Sequence, residues 1–154
     1  MSELFLIQNF DLVREVLTSP EIYPSIGDDF APDVEEFEVN EHPGITYLGV
    51  CGIAGLIGMF SLFPENTICW QVHVVMLPWA TIREKWQAAR VLPGWLARNT
   101  ECKRLTAAVP SCNRQAIVYG THGIGMRYVG RQQEAFMKHG KLEDLIILGR
   151  PIGG

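Results

Sequence analysis

Charge is scarce in this chain. Asp, Glu, Lys and Arg make up 19% of its 154 residues, against 47% hydrophobic ones. A sequence so composed has enough apolar surface to fold rather than stay disordered. Long apolar runs are missing as well, since none approaches the roughly 18 residues that a membrane-crossing helix needs. The richest stretch, Ile45 to Phe63, is interrupted by Gly49, Gly52, Gly55 and Gly58 and reads as paired strands. The first residues, including Ser2 and Glu3, lack the basic region and cleavage site of a secretory signal, so none is expected. The four cysteines, Cys51, Cys69, Cys102 and Cys112, stand 18, 33 and 10 residues apart without a C-x-x-C pair, which excludes the usual zinc spacing. Such cysteines are expected to stay reduced in a cytosol. Internal repeats and low-complexity tracts are absent too. A chain of this length supports one sizeable core, so residues 1–154 are expected to form a single domain.

The net charge of −4 argues against a general nucleic-acid binder, but it hides an uneven distribution. Eight acids lie between positions 21 and 41: Glu21, Asp28, Asp29, Asp33, Glu35, Glu36, Glu38 and Glu41. No Lys or Arg interrupts them. The other nine acids face thirteen basic residues, so the remainder of the chain carries +4. An acidic lip of this kind attracts a cationic amine or a basic protein surface; its plainer reading is a solvated helix and loop. From Arg83 to Arg114 the sign reverses, which suits either a phosphorylated ligand or a basic helix face.

The apolar pattern predicts a first strand over Leu4 to Ile7 and a helix from Asp11 that Pro20 ends. Pro20, Pro24, Gly27 and Pro32 then mark a loop, with a second short helix over Asp33 to Phe37. Ile45–Cys51 and Gly55–Phe63 read as two strands across a tight turn, and Ile68–Leu77 as the longest strand, stopped by Pro78. Thr81-x-x-Glu84 fits a capping box. Behind it Ile82, Trp86, Ala89 and Leu92 form an apolar stripe, and Pro93-Gly94 predicts a kink or restart. Lys103–Val109 is a strand, Asn113–Gly120 a helix, and Tyr128–Met137 with Leu142–Leu148 a closing hairpin. Strand–helix alternation in the second half implies some parallel pairing, while the tight turns imply antiparallel pairs. The expected class is α/β (α+β): a mixed, mostly antiparallel sheet of six to seven strands with helices on both faces.

This order resembles the GNAT acyltransferase fold, and the run Arg104 to Gly123 supports it in detail. The family places an Asn after its fifth strand, then Ala, then an aromatic residue, then Gly; Asn113, Ala116, Tyr119 and Gly123 follow that order, the last two about one residue early. Gly140-Lys141-Leu142-Glu143-Asp144 and the apolar strand after it resemble the family's final hairpin. More remotely, the chain is similar to small GNAT-like proteins that short-tailed phages encode among their head-assembly genes. One departure stands out. The family's Gln/Arg-x-x-Gly-x-Gly/Ala loop, which cradles the pyrophosphate of acetyl-CoA, should follow Leu77, but Pro78-Trp79-Ala80-Thr81-Ile82-Arg83 contains no glycine.

The resemblance implies N-acetyl transfer from acetyl-CoA to a cationic amine. Strand-four amides near Val74, Val75 and Met76 would hold the thioester carbonyl, and the helix N-terminus at Ala80 and Thr81, with Arg83, would meet the phosphates. Asn113 corresponds to the CoA-contacting asparagine, and Tyr119 lies closest to the thiolate-protonating tyrosine. His73 lies on the fourth strand, alternating with Gln71 and Val75, and an ordinary histidine pKa near 6.5 suits a general base. An acid of the lip acting through water is the alternative base. Edge strands allow a homodimer. The alternative to an enzyme is a non-catalytic GNAT-fold phage protein acting in the virion or in head assembly.

Overall fold

A computed structural model describes residues 2–153. Seven strands form one sheet: β1 (Glu3–Leu6), β2 (Thr46–Gly52), β3 (Gly55–Pro64), β4 (Cys69–Met76), β5 (Arg104–Pro110), β6 (Arg127–Lys138) and β7 (Lys141–Pro151). Their order is β1-β2-β3-β4-β5-β7-β6, and every pair is antiparallel except β4 with β5. The helices are α1 (Phe10–Leu17), α2 (Tyr23–Ile26), α3 (Ile82–Asn99) and α4 (Arg114–Val118), with a 3₁₀ turn at Val34–Glu36 and a π-helical turn at Tyr119–Ile124. The mixed sheet expected from the sequence is therefore present.

Two cores lie on opposite faces of this sheet. On one face, Ala88, Ala89, Leu92 and Leu96 of α3 pack on Leu48, Phe60, Val72, Leu105 and Leu148. On the other, Val13 and Val16 of α1 and Ile22 beyond it pack on Tyr47, Met59, Val75 and Leu77. The two-residue period of β4 divides its side chains between them: Val74 and Met76 join the first core, and Val75 joins the second.

Three local expectations are corrected. The helix does not restart at Pro93 and Gly94; α3 runs through both. Proline removes one backbone hydrogen bond there, but Leu92 and Leu96 on either side are fully buried and hold the helix on the sheet. Ile82 also leaves the expected apolar stripe. As the first helical residue it lies 74% exposed, while Glu84 is buried. A further helical turn, α2, stands where prolines and glycine predicted a loop; Pro24 falls in its first turn, where its missing N–H costs nothing.

The feature that positions the site is the parting of β4 from β5. Only Cys69–Gln71 pair with Arg104–Thr106. Beyond them β4 stays with β3 as far as Met76 opposite Gly58, while Ala107–Pro110 stay with β7. Glycine at position 58 permits this, because a Cβ there would press on the Val75 carbonyl and the Met76 side chain.

Candidate active site

From Val72 onward β4 has no strand partner on its β5 side. The direction of its backbone groups follows from neighbouring hydrogen bonds. The Ile68 carbonyl accepts from the Lys103 and Arg104 amides, and the Trp70 carbonyl accepts from the Thr106 hydroxyl, so both face β5. The Leu77 amide instead donates to Ile57 of β3. With a two-residue period, the peptide groups of Val72, Val74 and Met76 face the gap, whereas that of Val75 faces β3. Of the three strand residues singled out above, Val74 and Met76 therefore point backbone donors into the gap.

The N-terminus of α3 is closed by its own side chains. The Thr81 hydroxyl accepts the Glu84 amide at 3.1 Å, and Glu84 Oε1 accepts the Thr81 amide at 3.0 Å, the reciprocal pair of a capping box. Glu84 Oε2 also accepts the Ile53 amide at 2.9 Å, from the β2–β3 turn. Gly52 is required at this approach, since a Cβ would collide with that oxygen. The Thr81 and Ile53 amides hold the Glu84 carboxyl below the usual carboxylate range. The Ala80 amide donates to Leu77. Of the residues expected to meet phosphates, Ala80 and Thr81 thus have their amides engaged. The amides of Ile82 and Arg83, with the exposed Arg83 side chain, remain outside the cap. The Trp79 indole donates to the Leu56 carbonyl at 2.9 Å, and its ring borders a shallow depression with Ile53, Ala54, Arg83 and Gln87.

Across the gap, Asn113 caps α4: its side chain accepts the Ala116 amide at 3.2 Å and its own amide donates to Pro110. Tyr119 packs against Trp86 of α3 with ring centroids 5.8 Å apart, and its hydroxyl donates to the Lys85 carbonyl at 2.9 Å. Burial raises its pKa above the ordinary phenol range, so it stays protonated. Tyr119 and Asn113 therefore belong to the α3–α4 face.

His73 lies on the opposite face with Val75. Its Nε2 is 3.2 Å from Gln71 Oε1, and its ring meets Phe63 edge-on at 5.0 Å. The residue is exposed to solvent, and partial desolvation of its ring lowers its pKa, which favours neutral imidazole at pH 7. On this face the Ser111 hydroxyl donates to Glu143 Oε2 at 2.9 Å, beside the end of β5. Glu143 alternates with Leu145, which pairs with Pro110. The sequence carried Glu143 only as part of a hairpin resemblance; nothing in one strand shows which face a carboxylate takes until its register is known.

The acidic segment borders the same face. Arg131–Asp144 is the ion pair found among the described residues, so none of the eight acids of positions 21–41 is paired with a cation. Among the described residues, Asp28 accepts the Phe30 amide within the segment itself, and Asp29 is bound to the β6–β7 turn. Among the described residues no helix is long and apolar enough to cross a membrane.

No family model matches the chain, and neither does any curated protein. Solved structures do. Spermidine N-acetyltransferase from Vibrio cholerae, in complex with CoA and spermine, superposes with a TM-score of 0.77 at 15% identity, covering 98% of this chain and 95% of that one. A GNAT superfamily phosphinothricin acetyltransferase from Sinorhizobium meliloti, in complex with AcCoA, gives 0.73 at 17% identity over 99% and 89%. The ribosomal-protein-S5-alanine acetyltransferase of Vibrio fischeri gives 0.73 at 14% identity over 99% and 93%. At such identities the likeness concerns the fold. Nothing in these comparisons supports a place among phage head-assembly proteins.

Proposed function

We propose that this chain, which has the GNAT acyltransferase fold, is an N-acetyltransferase that moves an acetyl group from acetyl-CoA to a cationic amine. The observation that carries this reading is the gap between β4 and β5, into which Val74 and Met76 direct unpaired backbone groups. The chain's full-length likeness to acetyltransferases described with CoA or AcCoA supports it.

The residues fit the donor at one end by the family's device and at the other by a different one. The gap suits a narrow pantetheine arm. At the phosphate end the helix dipole, the Ile82 and Arg83 amides and the Arg83 guanidinium replace a glycine-rich cradle. Acetyl-CoA supplies an activated thioester. The Val74 and Met76 amides polarise its carbonyl. Neutral His73, on the other face, accepts the proton that the amine loses on attack. Tyr119 returns a proton to the departing thiolate once its hydroxyl leaves the Lys85 carbonyl. Asn113 shapes the start of α4 beside the arm.

The acceptor is a small polycation of the spermidine class, drawn by the acids of positions 21–41, which form no ion pair among the described residues. Its working compartment is a cytosol, and the free edges of β1 and β6 leave room for a homodimer. Calorimetric titration with acetyl-CoA, followed by a thiol-release assay with spermidine, tests the reading. Saturable binding and amine-dependent thiol release are expected. Absence of binding at millimolar acetyl-CoA overturns it.

A further inference from the structure

The long connection between α1 and β2 does more than carry acid. It leaves the C-terminus of α1 on the β2 side of the sheet and reaches the β6–β7 turn at the far side. It returns where Arg14 donates to the Val34 carbonyl at 3.2 Å and the Tyr47 hydroxyl donates to Asn40 at 2.7 Å. In the strand order β2-β3-β4-β5-β7-β6, a segment that joins these two sides crosses the β4–β5 gap. It crosses at the open end, because the β6–β7 turn lies beyond Pro110, which pairs with Leu145 four residues into β7. It crosses on the face that carries His73, since Ile22 packs in the core shared with Val75 and Leu77.

What holds the segment there is a small set of contacts centred on one residue. Asp29 Oδ1 accepts the His139 amide and Oδ2 the Gly140 amide, both at 2.8 Å. The Asp29 amide donates to the Met137 carbonyl at 2.9 Å. Beside it the Lys138 ammonium donates to the carbonyls of Pro24 and Gly27. The turn is built to offer both amides at once. His139 and Gly140 have φ of 51° and 73°, two successive left-handed residues as in the tight turns of twisted hairpins. A carboxylate that accepts two amides in parallel fixes position and orientation together.

We infer that Asp29 is a positioning residue, the clamp that closes the acidic segment as a strap over the amine side of the β4–β5 gap. The clamp makes residues 21–41 one wall of the acceptor channel, so Asp29 acts on amine binding without touching the amine. This inference rests on the acetyltransferase reading for its consequence, but the clamp itself is a property of the strap.

Hydrogen exchange and steady-state kinetics of the full chain test it together. Asp29→Ala should speed exchange at residues 23–33 and at the His139 and Gly140 amides. It should raise the KM for spermidine about tenfold or more, as loss of charge-assisted hydrogen bonds implies, while kcat and the KM for acetyl-CoA change less than about twofold. Asp29→Asn, which keeps one acceptor oxygen, should fall between it and the parent. Lys138→Met should loosen the same residues from the other side and serves if Asp29→Ala fails to fold. Unchanged exchange at the strap overturns the clamp; faster exchange with an unchanged spermidine KM overturns its positioning role. A parent protein that acetylates no amine would refute the proposed function instead, and the exchange measurement would still decide whether Asp29 holds the strap.

Discussion

Glu84 and Ile53 are joined by a hydrogen bond of 2.9 Å between a helix-cap carboxylate and a turn amide. The same carboxylate closes the capping box with Thr81, and the Glu84 carbonyl accepts the Ser2 hydroxyl at 2.8 Å. One residue thus ties the start of the chain, the β2–β3 turn and the N-terminus of α3 together, where the donor's phosphates would approach. Two opposite effects meet in it, a gain in stability and a negative charge beside the proposed phosphate site.

Replacing this acid should separate the two effects. Glu84→Gln keeps the shape but removes the charge, so it should lower the thermal midpoint by several degrees while tightening acetyl-CoA binding a few-fold. The pH dependence has a definite sign. The Glu84 pKa lies below its ordinary 4.5 in the folded protein, so its contribution to stability is complete above pH 4.5 and declines as pH falls through the lowered value. The parent should therefore lose its advantage over Glu84→Gln on acidification, as melting curves between neutral and acid pH will show. An advantage that persists at acid pH would remove the ionised carboxylate from this account.

Tyr119 is tested by Tyr119→Phe. Loss of the hydrogen bond to the Lys85 carbonyl should cost about 1 kcal/mol of stability. If Tyr119 also protonates the thiolate, kcat should fall about a hundredfold, the lower range for a positioned acid, with the KM for acetyl-CoA little changed. A lowered melting point with full kcat would confine the residue to packing α4 on α3. Because burial keeps the phenol protonated, no alkaline limb from this group should enter the rate below the ordinary phenol pKa near 10.

These two residues also mark how far the sequence could be read. The capping box was legible in Thr81 and Glu84, because its spacing has a local cause. That Glu84 would be buried against Ile53 was not, since the partner amide lies 31 residues away. The succession of strands and helices along the chain followed from apolar periodicity and turn residues, whereas the order of the strands within the sheet depends on pairings distant in sequence. The parting of β4 from β5 could be expected only through a resemblance, as it depends on where two registers diverge. Tyr119 was visible as an aromatic in a helix pattern; its contact with Lys85 depends on how the π-helical turn sets its direction. Eight acids were plain from composition, yet nothing distinguished Asp29 from its neighbour Asp28 until the β6–β7 turn was seen to receive it.

His73 should set the acid side of the rate profile. Desolvation of the ring lowers its pKa from 6.5, so the acid limb of kcat/KM should have its midpoint below pH 6.5. His73→Gln should lower kcat about a hundredfold and abolish this limb. The same shift bears on stability. Unfolded chains take up the proton at higher pH than the folded protein does, so this residue's contribution is present above pH 6.5 and is lost as pH falls below it. A limb that survives in His73→Gln would transfer the role of base to another group.

The unpaired acids of the strap predict a dependence on salt that grows with the charge of the acceptor. Glu35, Glu36 and Glu38 are exposed, and attraction between exposed charges is screened over about 8 Å at physiological ionic strength. The KM for spermidine should therefore rise steeply with added salt, while that for a monoamine rises little. Neutralising Glu35, Glu36 and Glu38 together as glutamines should raise the spermidine KM at low salt and flatten its salt dependence, leaving the acetyl-CoA KM in place. Equal salt slopes for the mono- and polyamine would show that the strap acts by shape alone. A slope that persists in the triple variant would move the cation's partner to the remaining acids, of which Glu143 faces the same side of the sheet.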